Sequence, residues 1–167
     1  TFPFNGIQHI YGQPALDGYE MPRLGFHLSR WIRGGGWYPD HKLRLFRRSR
    51  GRWTGRDPHD RFRLDGRAGR LRGDLLHYPY RDLQHQLQKI DRYTTVAAER
   101  LHADGHGWAT FQPIVRPPLA FVRAWLLLGG FRDGKAGLVL AALEARYQRL
   151  RFAKLRRLRR IARGPQK

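Results

Sequence analysis

Three consecutive glycines at positions 34–36, followed at once by Trp37, Tyr38 and Pro39, constrain this chain more than any other stretch. Glycine tolerates positive φ and lets the backbone pass close to a bulky neighbour. Pro39 fixes its own φ and restricts the residue before it. Residues 42–48 then alternate with the two-residue period of a β-strand. The sequence therefore predicts a glycine-rich loop with aromatic side chains that leads into a strand.

This loop has two interpretations. Trp37 and Tyr38 supply ring faces, Asp40 a carboxylate, and Arg44 and Arg48 guanidinium groups that bind anions well. Together they could form a site for an anionic ligand that contains rings. The other interpretation is a glycine-rich hairpin that places the Trp37 side chain in the core, because glycine-rich turns commonly join secondary-structure elements.

Charge is the most unusual property of the whole chain. Its 167 residues include 33 Lys and Arg against 13 Asp and Glu, for a net charge of +20. Such a field attracts nucleic acid, anionic lipid surfaces or phosphorylated sugars. The chain has no cysteine, which excludes a disulfide framework and a thiolate metal site. Because it opens without Met in a loop-like sequence, we expect the C-terminal part of a larger protein.

The clearest predicted element is a helix of about five turns that starts after Asp82, a good N-cap residue. Apolar residues follow at alternating spacings of four and three, which places them on one helix face. Gly105 or Gly107 is expected to end the helix. The predicted buried face consists of Leu83, Leu87, Ile90, Thr94, Ala97 and Leu101.

The last region combines apolar runs with many arginines. We expect it to open at Pro117 and Pro118 and to contain two apolar runs, Leu119–Leu128 and Ala136–Leu143, separated by glycines. Neither run approaches the ~20 residues that span a bilayer. The basic helix that follows, up to Arg163, is typical of an amphipathic helix on an anionic membrane. The alternative is a pair of core helices with a solvated basic tail.

Shorter patterns predict the strands before these helices. Gly18–Leu24 is expected to be a short extended segment, and Pro22 suggests an edge strand or a strand end. Trp53 is expected in a polar turn, and Asp65–Gly66 in a hairpin.

Four ionisable residues, Asp40, His59, Asp60 and His77, stand next to predicted strand ends or turns. Each could act as a general base or ligate a divalent metal. Each could equally cap a turn, bond a backbone amide or be a satisfied interior histidine. They would form a site only if they converge in space. The sequence contains no phosphate-binding glycine motif, no Gly-x-Ser-x-Gly elbow and no zinc-type histidine spacing.

An ordered series of motifs resembles bacterial family 2 glycosyltransferases of the lipopolysaccharide core type. The resemblance covers roughly residues 16–155. Its motifs, in chain order, are Gly18–Arg23, Arg33–Asp40, Lys42–Arg48, Pro58–Asp60, Leu76–Asp82, Lys89–Tyr93 and Gly130–Gly134.

The resemblance implies a GT-A-type α/β fold: short mixed strands, one long amphipathic helix and a membrane-facing helical hairpin. It implies inverting transfer from a nucleotide sugar to a lipid-linked oligosaccharide, with a divalent metal, Mg or Mn. Residues 1–80 would be the acceptor-side half of the catalytic domain, 81–107 the amphipathic helix and 117–167 the membrane-association region. The nucleotide-binding half and its Asp-x-Asp motif are not in this sequence, so we expect this piece to be inactive alone.

The resemblance also implies roles for individual residues. By position, Asp60 would be the general base that deprotonates the acceptor hydroxyl, and Asp40 is the second candidate. His59 and His77 would complete the metal site or hold the diphosphate. The predicted substrate-binding residues are Trp37 and Tyr38, against a sugar face, and Arg44 and Arg48, against acceptor or diphosphate charge.

The expected location is the cytoplasmic face of the inner membrane, where the basic region would bind the anionic lipid surface peripherally. A basic nucleic-acid-binding protein without catalysis is the alternative, because the charge would also neutralise phosphates. No RNA-binding or DNA-binding module signature is present, so no nucleic-acid partner is expected. A membrane-surface scaffold without catalysis is a third possibility.

Overall fold

The computed structural model describes residues 16–54, 61–105 and 111–163, which form two compact units. The first unit combines the chain up to Gly25 with residues 38–77 and consists of strands. The second combines residues 26–37 with the chain from Tyr78 onward and is mainly helical. The predicted α/β class is confirmed, whereas the GT-A-like arrangement stays a prediction.

The first unit is built around strand β1. This strand pairs antiparallel with β3 and parallel with β6 and β7, while β4 and β5 form a separate antiparallel pair. Phe26 and His27, the last two residues of β1, belong to the second unit, as does β2, which also pairs with β1. The strands are β1 (Gly18–His27), β2 (Arg30–Ile32), β3 (Asp40–Phe46), β4 (Gly51–Thr54), β5 (Arg61–Leu64), β6 (Ala68–Arg70) and β7 (Leu75–His77).

Pro22 lies in a central strand, so the prediction of an edge strand or strand end was wrong. β1 pairs with β6 at residues 18–20 and with β7 at residues 23–25. Pro22 falls between these two short partners, and its missing N–H therefore costs no hydrogen bond on that side of β1.

The segment around Asp65–Gly66 is not a hairpin, which corrects a second prediction. β5 pairs with β4, whereas β6 joins the other sheet beside β1. The chain is held there by Asp17, whose carboxylate accepts a hydrogen bond from the Arg67 N–H at 3.0 Å. This contact between residues 50 positions apart overrides the local turn signal.

Trp53 lies in β4 rather than in a polar turn. Its ring is mostly exposed and meets the Phe62 ring of β5 edge-on, with centroids 5.3 Å apart. The strand was missed because β4 has only four residues, and Trp53 is its one large apolar side chain.

Helix α1 (Leu83–Ala103) confirms the predicted long helix. The Asp82 carboxylate accepts a hydrogen bond from the His85 N–H at 2.7 Å, and Gly105 adopts a positive φ of 68° just after the end. The buried face is rotated slightly from the prediction, because Leu83 is exposed. Its buried residues are Gln86, Ile90, Thr94 and Ala98.

The helical hairpin begins earlier than predicted. Helix α2 (Gln112–Val122) starts five residues before Pro117, and both prolines lie inside it. Pro113 occupies the first turn, where a missing N–H costs nothing. A π-helical segment, Arg123–Leu127, continues α2 up to the predicted break at Gly129, which has φ 68°.

Helix α3 (Gly134–Ala162) is the centre of the second unit and packs against both α1 and α2. Its first half contributes Ala136, Leu140 and Leu143 to a core with Ile32 and Ile90. Its basic second half buries Phe152 and Leu155 against Ala98 of α1, with Leu101 and Leu158 packed around them.

On the apolar side of the basic helix, Leu155 is buried and Leu150 and Leu158 are partly buried against the protein's own core, whereas Ile161 is exposed. The membrane association of this helix stays a prediction. Among the described helices, none alone has the length and hydropathy to cross a bilayer. Gln112–Leu127 and Gly130–Ala162 reach that threshold only as a pair, bent by 72°.

Candidate functional site: a cavity beside the glycine loop

The glycine loop is fixed to the turn before α3 by one buried carboxylate. Asp133 accepts hydrogen bonds from the Gly34 N–H at 2.6 Å and from the Arg33 N–H at 3.1 Å. The Asp133 carbonyl also accepts a bond from the Arg30 guanidinium at 2.8 Å. A carboxylate that accepts several backbone N–H bonds holds a loop firmly. Two motifs of the family resemblance, Arg33–Asp40 and Gly130–Gly134, therefore meet here.

Glycine is required in this loop because two backbones lie in direct contact. A Cβ at residue 34 would overlap the Gly129 carbonyl, and a Cβ at residue 137 would overlap the Gly130 carbonyl. Gly35 and Gly36 have φ of 64° and 79°, a region that other residues avoid.

The loop amides are largely used within the protein. Besides the two amides bonded to Asp133, the Gly35 N–H donates to the Leu128 carbonyl at 2.8 Å and the Trp37 N–H to the Gly34 carbonyl at 3.1 Å. A phosphate-binding loop instead presents its free amides to the anion. The loop therefore contributes position and the Trp37 ring, rather than backbone donors.

Trp37 is held by aromatic neighbours in the second unit. Its ring stacks on the His27 imidazole, with centroids 5.8 Å apart, and the Tyr80 ring lies beside both. Burial lowers the pKa of His27, and the adjacent Gln86 amide partly opposes that shift. Neither His27 Nε2 nor Gln86 Oε1 makes a hydrogen bond of normal geometry within the described residues.

A cavity of about 860 Å³ lies next to Trp37. Its volume falls within the range of known small-molecule sites. The floor is formed by α3, the walls by α1 and by α2 with its π-helical extension, and one end by the glycine loop. Its polar and aromatic lining residues are Trp37, Tyr80, Gln86, Tyr93, Arg116, Arg123, Glu144, Tyr147 and Gln148.

The cavity carries more positive than negative charge. Of the described residues that line it, Arg116 and Arg123 are cationic and Glu144 alone is anionic. The Gln148 amide donates to Glu144 at 3.0 Å, and Arg151 donates to Gln148 at 2.9 Å. These two hydrogen bonds along α3 connect the cavity to a further guanidinium, that of Arg151.

Arg151 is half-buried between aromatic rings. Its guanidinium lies 4.6 Å from the Phe152 ring centroid and 6.0 Å from that of Tyr147. Burial lowers the pKa of Arg151 and raises that of Tyr147, but an arginine remains charged at neutral pH. Its positive field therefore adds to that of Arg116 and Arg123.

The outer side of α2 and its π-helical extension exposes a row of large apolar side chains, the α2 apolar band. Phe111, Ile114 and Leu127 are each at least 70% exposed. Leu119 belongs to both surfaces, since it is exposed and also lines the cavity. The band consists of Phe111, Ile114, Val115, Leu119, Val122, Leu126 and Leu127.

Asp40, the second candidate base, is paired with two cations in the first unit. Arg23 donates to one carboxylate oxygen, and the Lys42 Nζ lies 2.9 Å from the other. Burial raises the pKa of Asp40, but Lys42 and Arg23 together outweigh this effect and the pKa lies below its usual value. The paired carboxylate is therefore a weak proton acceptor.

Asp40 and His77 lie on opposite sides of β1. Arg23 pairs with Asp40 across one edge of the strand, and Gly25 pairs with His77 across the other. Their backbones are thus two strand spacings apart and offset by two residues along β1, about 12 Å in all. The structure does not bring these two residues together around β1.

Of the other predicted residues that the structure describes, Tyr38, Arg44 and Arg48 also belong to the first unit, whereas Trp37 belongs to the second. The Tyr38 hydroxyl donates to Asp74 at 2.9 Å, and Arg44 and Arg48 are exposed. His59 and Asp60 lie outside the described residues. Within residues 16–54, 61–105 and 111–163, no group of three His, Asp or Glu side chains is arranged to hold a metal ion.

The sequence interpretation missed most residues of the cavity. Arg116 and Arg123 were unremarkable in so basic a chain, and Glu144 in an otherwise apolar and basic helix was the one available signal. The remaining lining residues converge only through helix packing.

Comparison with curated proteins finds a relative that matches most of this chain. Over 151 residues the chain is 28% identical to the lipopolysaccharide core biosynthesis glycosyltransferase LpsC of Rhizobium meliloti (strain 1021). The chain is similar to a glycosyltransferase. The match covers 85% of this chain and 56% of the relative, so the chain spans about half the length of that protein. No family model and no solved structure matches.

Proposed function

We propose that this chain is part of a glycosyltransferase that transfers a sugar from a nucleotide-sugar donor to a lipid-linked oligosaccharide of the lipopolysaccharide core, with inversion. The observation that carries the proposal is the similarity to a glycosyltransferase over 85% of the chain. The aromatic and cationic cavity supports it, because carbohydrate-binding sites combine ring faces with a few polar groups.

In this proposal Asp60 takes the proton of the acceptor hydroxyl as that oxygen attacks the anomeric carbon. The attack displaces the nucleotide diphosphate from the opposite face and inverts the configuration. Asp40, already paired with Arg23 and Lys42, is less suited to this role. A divalent metal, Mg or Mn, would neutralise the leaving diphosphate with His59 or His77 nearby, as in metal-dependent transfer generally.

The proposed location is the cytoplasmic face of the inner membrane. The α2 apolar band provides exposed apolar area, and the net charge of +20 attracts anionic lipid. The face that enters the lipid would be α2, whereas the apolar side of the basic helix is already buried against α1.

Deletion of the gene in its own bacterium tests the function. We expect the lipopolysaccharide core oligosaccharide to lose the mass of one sugar and of any sugars added after it, and a wild-type copy to restore it. The full-length gene product, incubated with the truncated core and a panel of nucleotide sugars, should transfer one sugar.

The matched variants are Asp60→Asn and Asp104→Asn, the second at the exposed end of α1. Asp60→Asn should abolish transfer, whereas Asp104→Asn should retain it. An unchanged core after deletion contradicts the proposed function, and normal transfer by Asp60→Asn contradicts the assignment of the base.

A further inference from the structure

We propose that the cavity beside Trp37 binds the anionic saccharide of the acceptor, a sugar that carries phosphate or carboxylate, while the α2 apolar band contacts its lipid portion. This inference rests on the proposed function, which it extends by assigning the acceptor site to the second unit.

The first argument is charge. Arg116 and Arg123 lie two helical turns apart, about 10 Å along the axis, and both line the cavity. The guanidinium of Arg116 lies 5.7 Å from the Phe152 ring centroid, and Arg151 contacts the same ring from 4.6 Å. Stacked guanidinium groups are pre-organised to donate paired hydrogen bonds to phosphate or carboxylate.

The second argument is the aromatic lining. The rings of Trp37, Tyr80, Tyr93 and Tyr147 all border the cavity. Aromatic faces combine apolar area with tolerance for neighbouring polar groups, which suits the two-sided surface of a sugar ring. Glu144 and Gln148 of α3 add acceptors and donors for hydroxyl groups.

The third argument distinguishes the acceptor from the nucleotide donor. The amides of Arg33, Gly34, Gly35 and Trp37 already donate to Asp133, Leu128 and Gly34. The glycine loop at the end of the cavity therefore offers few backbone donors to a diphosphate. Side-chain guanidiniums remain as anion donors, and they can bind a phosphate or carboxylate on a saccharide without help from the loop amides.

The fourth argument is the continuity between cavity and band. One helix, α2, with its π-helical extension, lines the cavity with Arg116, Ala120 and Arg123 and exposes Ile114 and Leu126. Leu119 belongs to both surfaces. A molecule with a charged saccharide head and an acyl tail would fit these adjoining surfaces, with its head in the cavity and its tail on the α2 apolar band.

The test measures binding of the deacylated core oligosaccharide to the full chain by calorimetry. The charge-matched variants are Arg116→Gln/Arg123→Gln, which line the cavity, and Arg149→Gln/Arg156→Gln on α3, which do not; both pairs of side chains are exposed. The cavity pair should weaken binding about tenfold or more, as expected for lost charge-assisted hydrogen bonds. The α3 pair should change it less than about twofold.

Further probes separate the sources of the anion. Inorganic phosphate alone should bind far more weakly than the oligosaccharide, and phosphatidylglycerol vesicles without saccharide should not compete with the deacylated oligosaccharide for the cavity. Equal loss of affinity in both double variants, or full competition by these vesicles, would show a general charge effect and overturn the assignment.

Nuclear magnetic resonance of the wild-type chain provides a readout that needs no variant to fold. Oligosaccharide should shift the Trp37 indole signal and the Gln148 side-chain amide, and leave the Trp53 indole unchanged. If oligosaccharide does not bind while sugar transfer is intact, this inference is wrong and the proposed function stands. If it binds but the full-length gene product turns over no nucleotide sugar, the site stands and the proposed function fails.

Discussion

The Asp133 carboxylate lies 2.6 Å from the Gly34 amide, across 99 residues of sequence. Asp133 is only 4% exposed, so this charge is stabilised by the hydrogen bonds that it accepts. The loop that carries Trp37 and the turn that starts α3 are consequently one structural element. The position of Trp37 in the cavity wall depends on that link.

Replacement of Asp133 tests this link. Asp133→Asn keeps the shape but loses the charge-assisted bonds to Arg33 and Gly34, and we expect the free energy of unfolding to fall by about 2–4 kcal/mol. Urea unfolding of the full chain measures it. Asp104→Asn, at an exposed position, should change the value by less than about 0.5 kcal/mol.

Close backbone packing gives a second prediction. Gly34→Ala should destabilise the protein by about 1–3 kcal/mol or more, because its Cβ would overlap the Gly129 carbonyl. Gly73→Ala is the matched control, since a Cβ there meets nothing within 4 Å. Thermal unfolding followed by circular dichroism compares the two, and equal melting temperatures would contradict the packing argument.

The pH dependence of stability should reflect His27. Its folded pKa is lowered from 6.5 by burial, so the unfolded chain binds the proton more readily. The stability that neutral His27 contributes to the folded state is fully present above about pH 6.5, the pKa of the unfolded chain. It is lost as the pH falls through the lower pKa that His27 has in the folded protein. The facing groups are Gln86, Tyr80 and the Lys89 ammonium, which lies 5.3 Å from the Tyr80 ring.

Urea unfolding at about pH 7.5 and about pH 5.5 measures this effect. His27→Phe should reduce the loss of stability on acidification, whereas His102→Gln should leave that loss in place. A wild-type protein equally stable at both pH values would refute the prediction.

Lys154 joins α3 to α1 through four acceptors. Its three N–H groups are shared among four oxygens within hydrogen-bonding distance, namely the Asp91 carbonyl and carboxylate, each at 2.7 Å, the Thr95 hydroxyl at 2.8 Å and the Thr94 hydroxyl at 3.1 Å. Lys154→Met keeps the aliphatic stem but leaves these oxygens without their donor. We expect a loss of about 1–2 kcal/mol in urea unfolding, against no measurable loss for Lys135→Met at an exposed position of α3.

The α2 apolar band predicts where the protein contacts lipid. Leu126→Ser/Leu127→Ser should weaken sedimentation with phosphatidylglycerol vesicles about tenfold or more, because two exposed apolar side chains are lost from the contact. Leu83→Ser/Ile161→Ser removes two exposed side chains outside the band. Equal effects of the two pairs would contradict an orientation through α2.

Local signals predicted α1 well. Its N-cap Asp82, its apolar spacing and Gly105 after its end all act within a few residues. The same reasoning failed at Pro22, where the gap between β6 and β7 removes the usual objection to proline in a central strand. Local spacing also gave no indication that Leu155 packs against Ala98 on another helix.

The candidate site was predictable in one part. Trp37 was singled out from its place after the glycines, and it does border the cavity. Arg116, Arg123 and Glu144 join it only because α2 and α3 pack together, and periodicity within one helix carries no information about that packing. The roles of Asp60 and His59 stay predictions.

The close backbone contacts at Gly34 and Gly137 impose a sequence pattern on chains with this fold. Gly34 must be accompanied, about a hundred positions later, by Gly-x-x-Asp-x-x-x-Gly, the pattern of Gly130, Asp133 and Gly137. Neither the single glycine nor the Gly-x-x-Asp-x-x-x-Gly pattern is distinctive by itself. Their presence together, at this separation, would identify related proteins whose overall sequence identity is too low to detect.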